Sequence, residues 1–397
     1  MHTFAVARAV RGIEPLVAME IRRSRTGVVR GVRHREVWFE ARPEADLLGL
    51  RTADDVLLAA AVVDGIGSGR SALLRLARAA REVDPRLMGA PGSGVEVSAS
   101  FVGRRNYTRF EIEDAVGAEL ARPLRVPYHS RRDGRRPPAG ARSWRVTIED
   151  DQAVIAVRVA ARPLHRRAYK TASIRGTLHP PVAAAMAQLA RLDGAGTVLD
   201  PCCGAGTTLI EARALAGEGA GPAGVRFLGI DHDPAAVTAA TANTRAAALT
   251  APGLPTSPDL PTSLDLPGTP VPPSLPTAPS ATGLPGAPRA EAAGGAGAGA
   301  AGMPVAWAVA DGGRIPVGDG CADRVLVNPP WGRQVPPAGR LSRGLAPLWR
   351  EVRRVLAPDG LAVALVHDGI PPGFTVEEAV EVSLSGQHPL IAVLRPR

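Results

Sequence analysis

The 397-residue sequence contains little of what marks secreted, zinc-binding or membrane-spanning proteins. It has three cysteines, and no His or Cys at zinc-site spacing surrounds the adjacent pair Cys202 and Cys203. A disulfide framework and a bound metal are therefore not expected. We interpret Cys202 and Cys203 as residues that pack within the turn in which they lie. No secretory signal begins the chain, and the stretch 292–310 has too few large apolar residues to span a bilayer. We therefore expect a soluble, cytoplasmic protein, with a monomer favoured.

Lysine is nearly absent, since Lys170 is the only lysine among 47 basic residues. Residues 1–180 contain 32 Lys+Arg against 20 Asp+Glu, a net charge of +12, whereas the remainder has 15 against 18, a net of −3. Arginine binds phosphate bidentately and stacks on bases. A GC-rich genome explains much of the preference for arginine, but it does not explain the asymmetry between the two halves. The basic half therefore indicates an RNA partner, while the densest basic run, 131–136, fits a solvated loop equally well.

Aromatic residues are missing from 252–302, a segment dominated by Pro, Ala, Gly, Thr, Ser and Leu. Such a composition cannot bury enough apolar surface to offset the entropy of ordering it. We predict a disordered insertion there, between a helix over 234–249 and a strand that begins near 305. A chain of this length suits two or three domains.

A glycine-rich turn lies between a predicted strand at 197–199 and a helix that begins near 209. Gly204 and Gly206 let the backbone approach a ligand closely, and the helix N-terminus that follows suits an anionic group. No Gly-Lys-Ser/Thr follows, which excludes a phosphate-binding P-loop. Leu209 stands where the dinucleotide-binding pattern has its third glycine, which argues against a dinucleotide oxidoreductase. A carboxylate, such as that of a methionine moiety, still suits the turn.

Two further strands end in acids. Asp231 ends the strand 226–231 at the position where dinucleotide folds bind ribose hydroxyls, but it also fits a helix N-cap. Asp233 is better placed for that cap, so the two roles are compatible. Asp311 follows a strand that begins at 305, where its carboxylate can accept from an adenine amino group.

The tetrapeptide 328–331, Asn-Pro-Pro-Trp, follows the apolar run 325–327. The Asn328 side-chain oxygen and the Pro329 carbonyl can accept both N–H bonds of an exocyclic amino group, and Trp331 offers a flat face for a base. An isolated Asn-Pro-Pro is more often a turn that closes a strand. The tetrapeptide gains meaning from the glycine turn and the two acids before it.

Together these motifs resemble a class I S-adenosylmethionine-dependent methyltransferase that acts on amino nitrogens. More narrowly, 200–207 followed by Leu209-Ile210-Glu211-Ala212 resembles the THUMP-domain RNA methyltransferases that make N2-methylguanosine in tRNA. Residues 4–21, 101–107, 111–117 and 166–181 also resemble segments of that family.

The resemblance implies an α/β fold: a Rossmann-like class I methyltransferase sheet with an antiparallel terminal hairpin, after an α+β N-terminal region. The implied domains are a ferredoxin-like subdomain (1–55), a THUMP-like RNA-binding domain (56–165), a connecting segment (166–180) and a methyltransferase domain (181–397). The helix that usually precedes the terminal hairpin is predicted to be short or missing, with 371–373 crossing in its place.

The resemblance also implies the site residues, with S-adenosylmethionine as cofactor and RNA, in particular tRNA, as partner. The catalytic residues implied are Asn328, Pro329, Pro330 and Trp331. The cofactor-binding residues implied are Asp200, Cys202, Gly204, Gly206, Thr207, Asp231 and Asp311. The RNA-binding residues implied are Arg104, Arg105, Arg166, Arg167 and Lys170.

The tetrapeptide leaves other substrates open, because adenine N6, guanine N2 in ribosomal RNA and a glutamine amide of a protein all present an NH2 group. A noncatalytic RNA-binding protein is the alternative of another class. The presence of Asp200, Gly204, Gly206, Asp231 and Asn328 argues against it.

Overall fold

A computed structural model of the chain describes residues 3–88, 92–216, 224–249, 305–332 and 335–397. The predicted insertion 252–302 lies outside these residues. The first half contains β1 (Thr3–Arg8), α1 (Glu14–Arg23), β2 (Gly27–Arg33), β3 (Glu36–Ala41), β4 (Asp55–Val63), α2 (Ser71–Arg81), α3 (Pro85–Met88), β5 (Val95–Phe101), α4 (Arg109–Leu124), β6 (Arg142–Glu149) and β7 (Gln152–Arg158). The second contains α5 (Pro180–Leu189), β8 (Thr197–Asp200), α6 (Thr207–Ala216), β9 (Arg226–Asp231), α7 (Pro234–Leu249), β10 (Val305–Val309), β11 (Ala322–Val327), α8 (Ala346–Val355), β12 (Leu356–Val366), β13 (Phe374–Glu381) and β14 (Leu390–Pro396).

The strands of the first half form one seven-stranded sheet in the order β2-β3-β1-β4-β7-β6-β5. β4 pairs with both β1 and β7, so the sheet is continuous across the predicted boundary between 55 and 56. The division into a ferredoxin-like and a THUMP-like part therefore stays a prediction. Thr108 is the N-cap residue of helix α4 and forms a capping box with Glu111.

The second half forms a separate seven-stranded sheet in the order β10-β9-β8-β11-β12-β14-β13. Strands β8 to β12 are parallel where they pair, and β14 runs antiparallel to both β12 and β13. Taking the seven strands in chain order, the sheet reads 3-2-1-4-5-7-6. This is the predicted parallel sheet with an antiparallel terminal hairpin. The direction of the strand order reverses between β8 and β11, and ligands bind outside the carboxyl ends of strands at such a point.

Two local features of this sheet bear on the predictions. The residues Pro358-Asp359-Gly360, a sequence typical of a turn, are part of β12, where they form an irregularity: Ala322 of β11 pairs with Leu356, and Arg324 pairs with Leu361. The extra residues bulge out while the strand continues on both sides. No helix lies between β12 and β13, as predicted from the residues 371–373.

The two halves pack against each other at the terminal hairpin. Gly12 has φ +105°, and a Cβ there would lie 1.8 Å from the carbonyl oxygen of Glu381. The backbone N–H of Ser383 donates to the carbonyl of Arg11 at 3.0 Å. Residues 11 and 12, within the stretch 4–21 that resembles a segment of the family, thus make a close backbone contact with the second half, which only glycine at position 12 permits. Within the described ranges, no helix has the length and apolarity needed to cross a membrane.

Candidate active site

A cavity of about 480 Å³ opens at the carboxyl ends of the parallel strands in the second sheet. Its walls come from 201–205 and 207–208 after β8, 231–233 at the end of β9, 311–312 after β10 and 328–331 after β11. Four loops that are far apart in the sequence therefore converge on one site. Nine of the predicted catalytic and cofactor residues line it: Cys202, Gly204, Thr207, Asp231, Asp311, Asn328, Pro329, Pro330 and Trp331.

Asp200 and Gly206 do not line the cavity; they support the turn from behind. Asp200 is fully buried, and its Oδ1 accepts from the backbone N–H of Cys202 at 3.0 Å. Gly206 has φ +80°, and a Cβ there would lie 2.8 Å from the indole of Trp307. Both residues therefore shape the turn, and their part in cofactor binding stays a prediction.

Asp231 links the glycine turn to the end of β9. Its Oδ2 accepts from the backbone N–H of Gly204 at 2.9 Å, and its Oδ1 accepts from that of Asp233 at 3.0 Å. Asp233 in turn accepts from the N–H of Ala235 at 2.8 Å, at the start of α7. The cap is thus Asp233, as predicted. Asp231 lines the cavity with free lone pairs, since each carboxylate oxygen has two.

Asp311 makes a similar link on the other side of the cavity. Its Oδ1 accepts from the backbone N–H of Gly313 and its Oδ2 from that of Arg340, both at 2.8 Å. The residues after β10 are thereby tied to the loop that precedes α8.

The tetrapeptide forms the wall beyond β11. The Trp331 indole Nε1–H donates to Asn328 Oδ1 at 3.1 Å, and the Trp331 ring lies against His367, with ring centroids 3.5 Å apart. Neither contact was predicted from the sequence. His367 follows a different strand, so no local pattern indicates that it meets Trp331. Asn328 keeps a second lone pair on its oxygen for a substrate amino group.

The ionisable groups of the turn have shifted pKa values. Burial, together with the nearby charge of Asp231, raises the pKa of Asp200 to about 7. Burial also raises the pKa of the Cys202 and Cys203 thiols, so both are protonated at neutral pH and neither is an activated nucleophile. This agrees with a packing role.

The five residues predicted to bind RNA fall into two groups. Arg104 and Arg166 are exposed, and Lys170 lines the cavity, where burial lowers the pKa of its ammonium group. The guanidinium of Arg105 instead donates to backbone carbonyls, including that of Ile66 at 2.8 Å. These bonds hold the loops together, and the RNA-binding role of Arg105 stays a prediction.

Arg167 also has a structural role, in a buried ion cluster that sequence reasoning did not predict. Its Nε donates to Glu211 at 2.9 Å, Arg51 Nε donates to the other Glu211 oxygen at 2.7 Å, and the Tyr169 hydroxyl donates at 2.7 Å. Glu211 is fully buried on α6. Burial would raise the pKa of Glu211, but the charges of Arg51 and Arg167 outweigh it and lower the pKa. In the sequence, Glu211 stands out as a charged residue within the apolar stretch at the beginning of α6, and this was the feature that could have indicated a buried partner.

Away from the turn, three potential metal ligands meet at the junction between the halves. Ligand atoms of Asp54, His165 and His179 lie within 4.8 Å of one another. His179 Nε2 and Asp54 Oδ1 are 2.6 Å apart, a distance that already forms a direct hydrogen bond. This hydrogen bond accounts for the close approach of the two side chains.

Known proteins resemble the chain in sequence. A family described as RMKL-like, methyltransferase domain, matches residues 167–253. The tRNA (guanine(6)-N2)-methyltransferase of Thermus thermophilus is 35% identical over 173 residues, 43% of this chain and 48% of that protein. The ribosomal RNA large subunit methyltransferase K/L of Vibrio campbellii is 39% identical over 71 residues, 18% of this chain and 10% of that protein. The chain thus matches about half or less of the length of these relatives.

Solved structures resemble the whole fold. TrmN from Thermus thermophilus matches with a TM-score of 0.70 and 25% identity, covering 100% of both chains. A predicted N6-adenine-specific DNA methylase from Listeria monocytogenes matches with a TM-score of 0.66 and 16% identity, covering 99% of this chain and 96% of that one. The predicted fold class, a methyltransferase sheet behind a sheet-rich N-terminal region, is confirmed. These matches leave the THUMP assignment a prediction.

Proposed function

We propose that this chain, which carries an RMKL-like methyltransferase domain, transfers a methyl group from S-adenosylmethionine to the exocyclic N2 of a guanosine in tRNA. The observation that carries the proposal is the convergence of Asn328 and Pro329 with the glycine turn and Asp231 around one cavity. The residues that could accept an amino group and the glycine turn that could hold the cofactor therefore line the same cavity.

The cavity suits the cofactor on three counts. Its volume of about 480 Å³ lies within the range of small-molecule sites, roughly 300–1,000 Å³. The Thr207 hydroxyl at the start of α6 is buried and has no hydrogen-bond partner among the described residues, so a polar ligand group can satisfy it. Asp231 has lone pairs left for ribose hydroxyls.

When bound, S-adenosylmethionine supplies a methyl group on a positively charged sulfur. Asn328 Oδ1 and the Pro329 carbonyl accept the two N–H bonds of the guanine amino group, which favours pyramidal geometry and aims the nitrogen lone pair. The methyl group of a cofactor held by the glycine turn and Asp231 would be transferred to that nitrogen, with S-adenosylhomocysteine as the product, and the amino proton would pass to solvent. Neutral Asn328 is no base, so catalysis is positioning and electrostatics.

The partner belongs to the proposal as well. The net charge of +12 in residues 1–180, with exposed Arg104 and Arg166, favours RNA, and the Thermus relative favours tRNA. The name of that relative makes guanosine 6 the first position to test. A cytoplasmic location and a monomeric state stay predictions.

The test is incubation of the full chain with total tRNA and methyl-labelled cofactor, followed by nucleoside mapping. We expect N2-methylguanosine. N6-methyladenosine would overturn the choice of base, label in ribosomal RNA or protein alone would overturn the carrier, and cofactor binding without transfer to any of them would overturn the reaction.

A pair of variants separates the two halves of the site. Asn328→Ala should lower turnover at least 100-fold and leave cofactor affinity unchanged, because it removes the amino-group acceptor. Asp231→Ala should weaken cofactor binding, measured by calorimetry, about tenfold or more, because it removes a carboxylate acceptor and loosens the turn. Near-normal turnover of the first variant, or unchanged affinity of the second, would contradict the assignment.

A further inference from the structure

The hydrogen bond between Trp331 and Asn328 restricts how the Asn328 amide can be oriented. An amide presents an oxygen acceptor on one side and an NH2 donor on the other, whereas the indole N–H only donates. The 3.1 Å contact therefore forms with the amide oxygen and not with its NH2 group. The bond decides which way the amide faces.

The orientation matters because the substrate group is itself a donor. Correctly oriented, Asn328 Oδ1 uses one lone pair for Trp331 and offers the other to the amino group. Turned over, it would present N–H bonds to N–H bonds, which repel each other and leave the substrate unpaired. Water can stabilise either orientation of a free asparagine, so the site needs a fixed donor.

Trp331 is held in place by His367. The two ring centroids lie 3.5 Å apart at an interplanar angle of 53°. His367 directly follows β12, which pairs with β11 through Val327 and Ala364, so the histidine comes from the neighbouring strand end of the same sheet. A rigid element therefore supports the indole from outside its own loop.

The imidazole acts there as a packing group. His367 Nε2 is buried and has no hydrogen-bond partner among the described residues. Burial lowers the pKa of His367, opposed by the charge of Asp368, which favours the neutral ring. Since no bond to Nε2 would be lost, another aromatic ring should support the indole equally well.

We propose that Trp331 and His367 are positioning residues, together called the Asn328 brace, which hold the amide oxygen of Asn328 toward the substrate amino group. The inference rests on the proposed function, because the acceptor role of Asn328 belongs to it. It also revises the part expected of Trp331: the indole N–H and the contact with His367 serve the protein, and only the ring surface that lines the cavity is left for a base.

The kinetic test uses four variants of the full chain and one control variant. Trp331→Phe keeps a ring but removes the donor, and His367→Ala removes the support. Each should lower kcat about tenfold with the KM for S-adenosylmethionine unchanged, and the double variant should fall little further, because both act through one amide. His367→Phe should stay within about twofold of wild type. The exposed His34→Ala is the matched control and should be unaffected.

A spectroscopic test needs no turnover. The chain has five tryptophans, and the indole N–H resonance of Trp331 is assigned as the one that Trp331→Phe removes. This resonance should shift upfield in Asn328→Ala and in His367→Ala. It should stay in place in His34→Ala.

The outcomes distinguish the brace from the function. Without methyl transfer by the wild type, the proposed function fails and the resonance decides whether the brace exists. An unshifted resonance in Asn328→Ala, normal kcat in Trp331→Phe, a loss in His367→Phe equal to that in His367→Ala, or multiplicative losses in the double variant would each overturn the inference.

Discussion

At the residue scale, the glycine turn holds two carboxylates in different surroundings. Asp200 is fully buried with a pKa raised to about 7, whereas Asp231 borders the cavity and accepts two backbone N–H bonds. Burial disfavours the charged form of Asp200, and the charge of Asp231 adds to this effect. The turn therefore keeps one acid for structure and presents the other to a ligand.

Replacing Asp200 with Asn should make the fold increasingly stable relative to wild type as pH rises. Between the ordinary pKa of an aspartate and about 7, the unfolded chain ionises this group while the folded chain keeps it protonated, so ionisation favours unfolding. Relative to wild type, the Tm of Asp200→Asn should rise steadily from pH 4 to pH 7 and level off above it. Asn retains an oxygen for the N–H of Cys202.

Thermal unfolding of both proteins across that pH range measures the difference. Asp359→Asn, in the bulge of β12, is a suitable control, and its Tm difference from wild type should stay flat over the same range. A difference for Asp200→Asn that is equally flat would show that Asp200 is ionised in the folded protein.

At the element scale, helix α6 has two tasks. Its N-terminus lies at the glycine turn, and one turn later Glu211 accepts from Arg51 of the first half and from Arg167 and Tyr169 of the connecting segment. The side chain of Arg167 is only 10% exposed, and that of Glu211 is inaccessible. The same helix thus serves the cofactor site and fastens the basic half to it.

Glu211→Gln should be strongly destabilising, because it leaves two largely buried arginines without their charge partner. Breaking a buried ion pair in this way costs about 3–5 kcal/mol. Since ion pairing lowers the pKa of Glu211, this stabilisation is present near neutral pH and disappears as pH falls below the range of an ordinary glutamate. The measurement is urea unfolding at pH 7.

Glu377→Gln is the matched control, because Glu377 pairs with Arg395 at the exposed terminal hairpin. Exposed pairs contribute about 0–1 kcal/mol. Equal losses in the two variants would mean that the Glu211 cluster does not fasten the halves.

At the scale of the whole molecule, the basic charge and the cavity lie in different halves of the chain. The basic excess lies in residues 1–180, and the cavity lies in the second sheet. Backbone contacts such as that of Gly12 and the cluster around Glu211 join the two. Under the proposed function, an RNA bound by the first half would be presented to the cavity at a distance that these contacts set.

The affinity for tRNA should fall linearly with salt on a double-logarithmic plot, because each neutralised phosphate releases counterions. Arg104→Glu and Arg166→Glu should each weaken binding and reduce the slope by about one. Arg245→Glu, at an exposed position on α7 in the second half, is the control. A slope that neither N-terminal variant changes would remove these residues from the RNA surface.

The sequence by itself determined the order of the elements, the glycine turn, the acids at the ends of β9 and β10, and the position of the tetrapeptide 328–331 after β11. These follow from local rules: apolar runs form strands, glycines permit turns, and an acid or amide after a strand lies at the edge of the sheet. For this reason the second half could be predicted almost strand by strand, and its fold class is confirmed by the solved structures.

Only the tertiary structure decided which side chains meet across the chain. It placed Asp200 behind the cavity, assigned Arg105 and Arg167 to structural bonds, and brought Arg51 to Glu211 and His367 to Trp331. Residues such as Arg51 and Glu211 are separated by most of a domain, so no local pattern reports their contact. The exposure and the pairing of such side chains depend on how the two sheets pack against each other. That packing is set by many residues of both halves together and not by any local stretch of sequence.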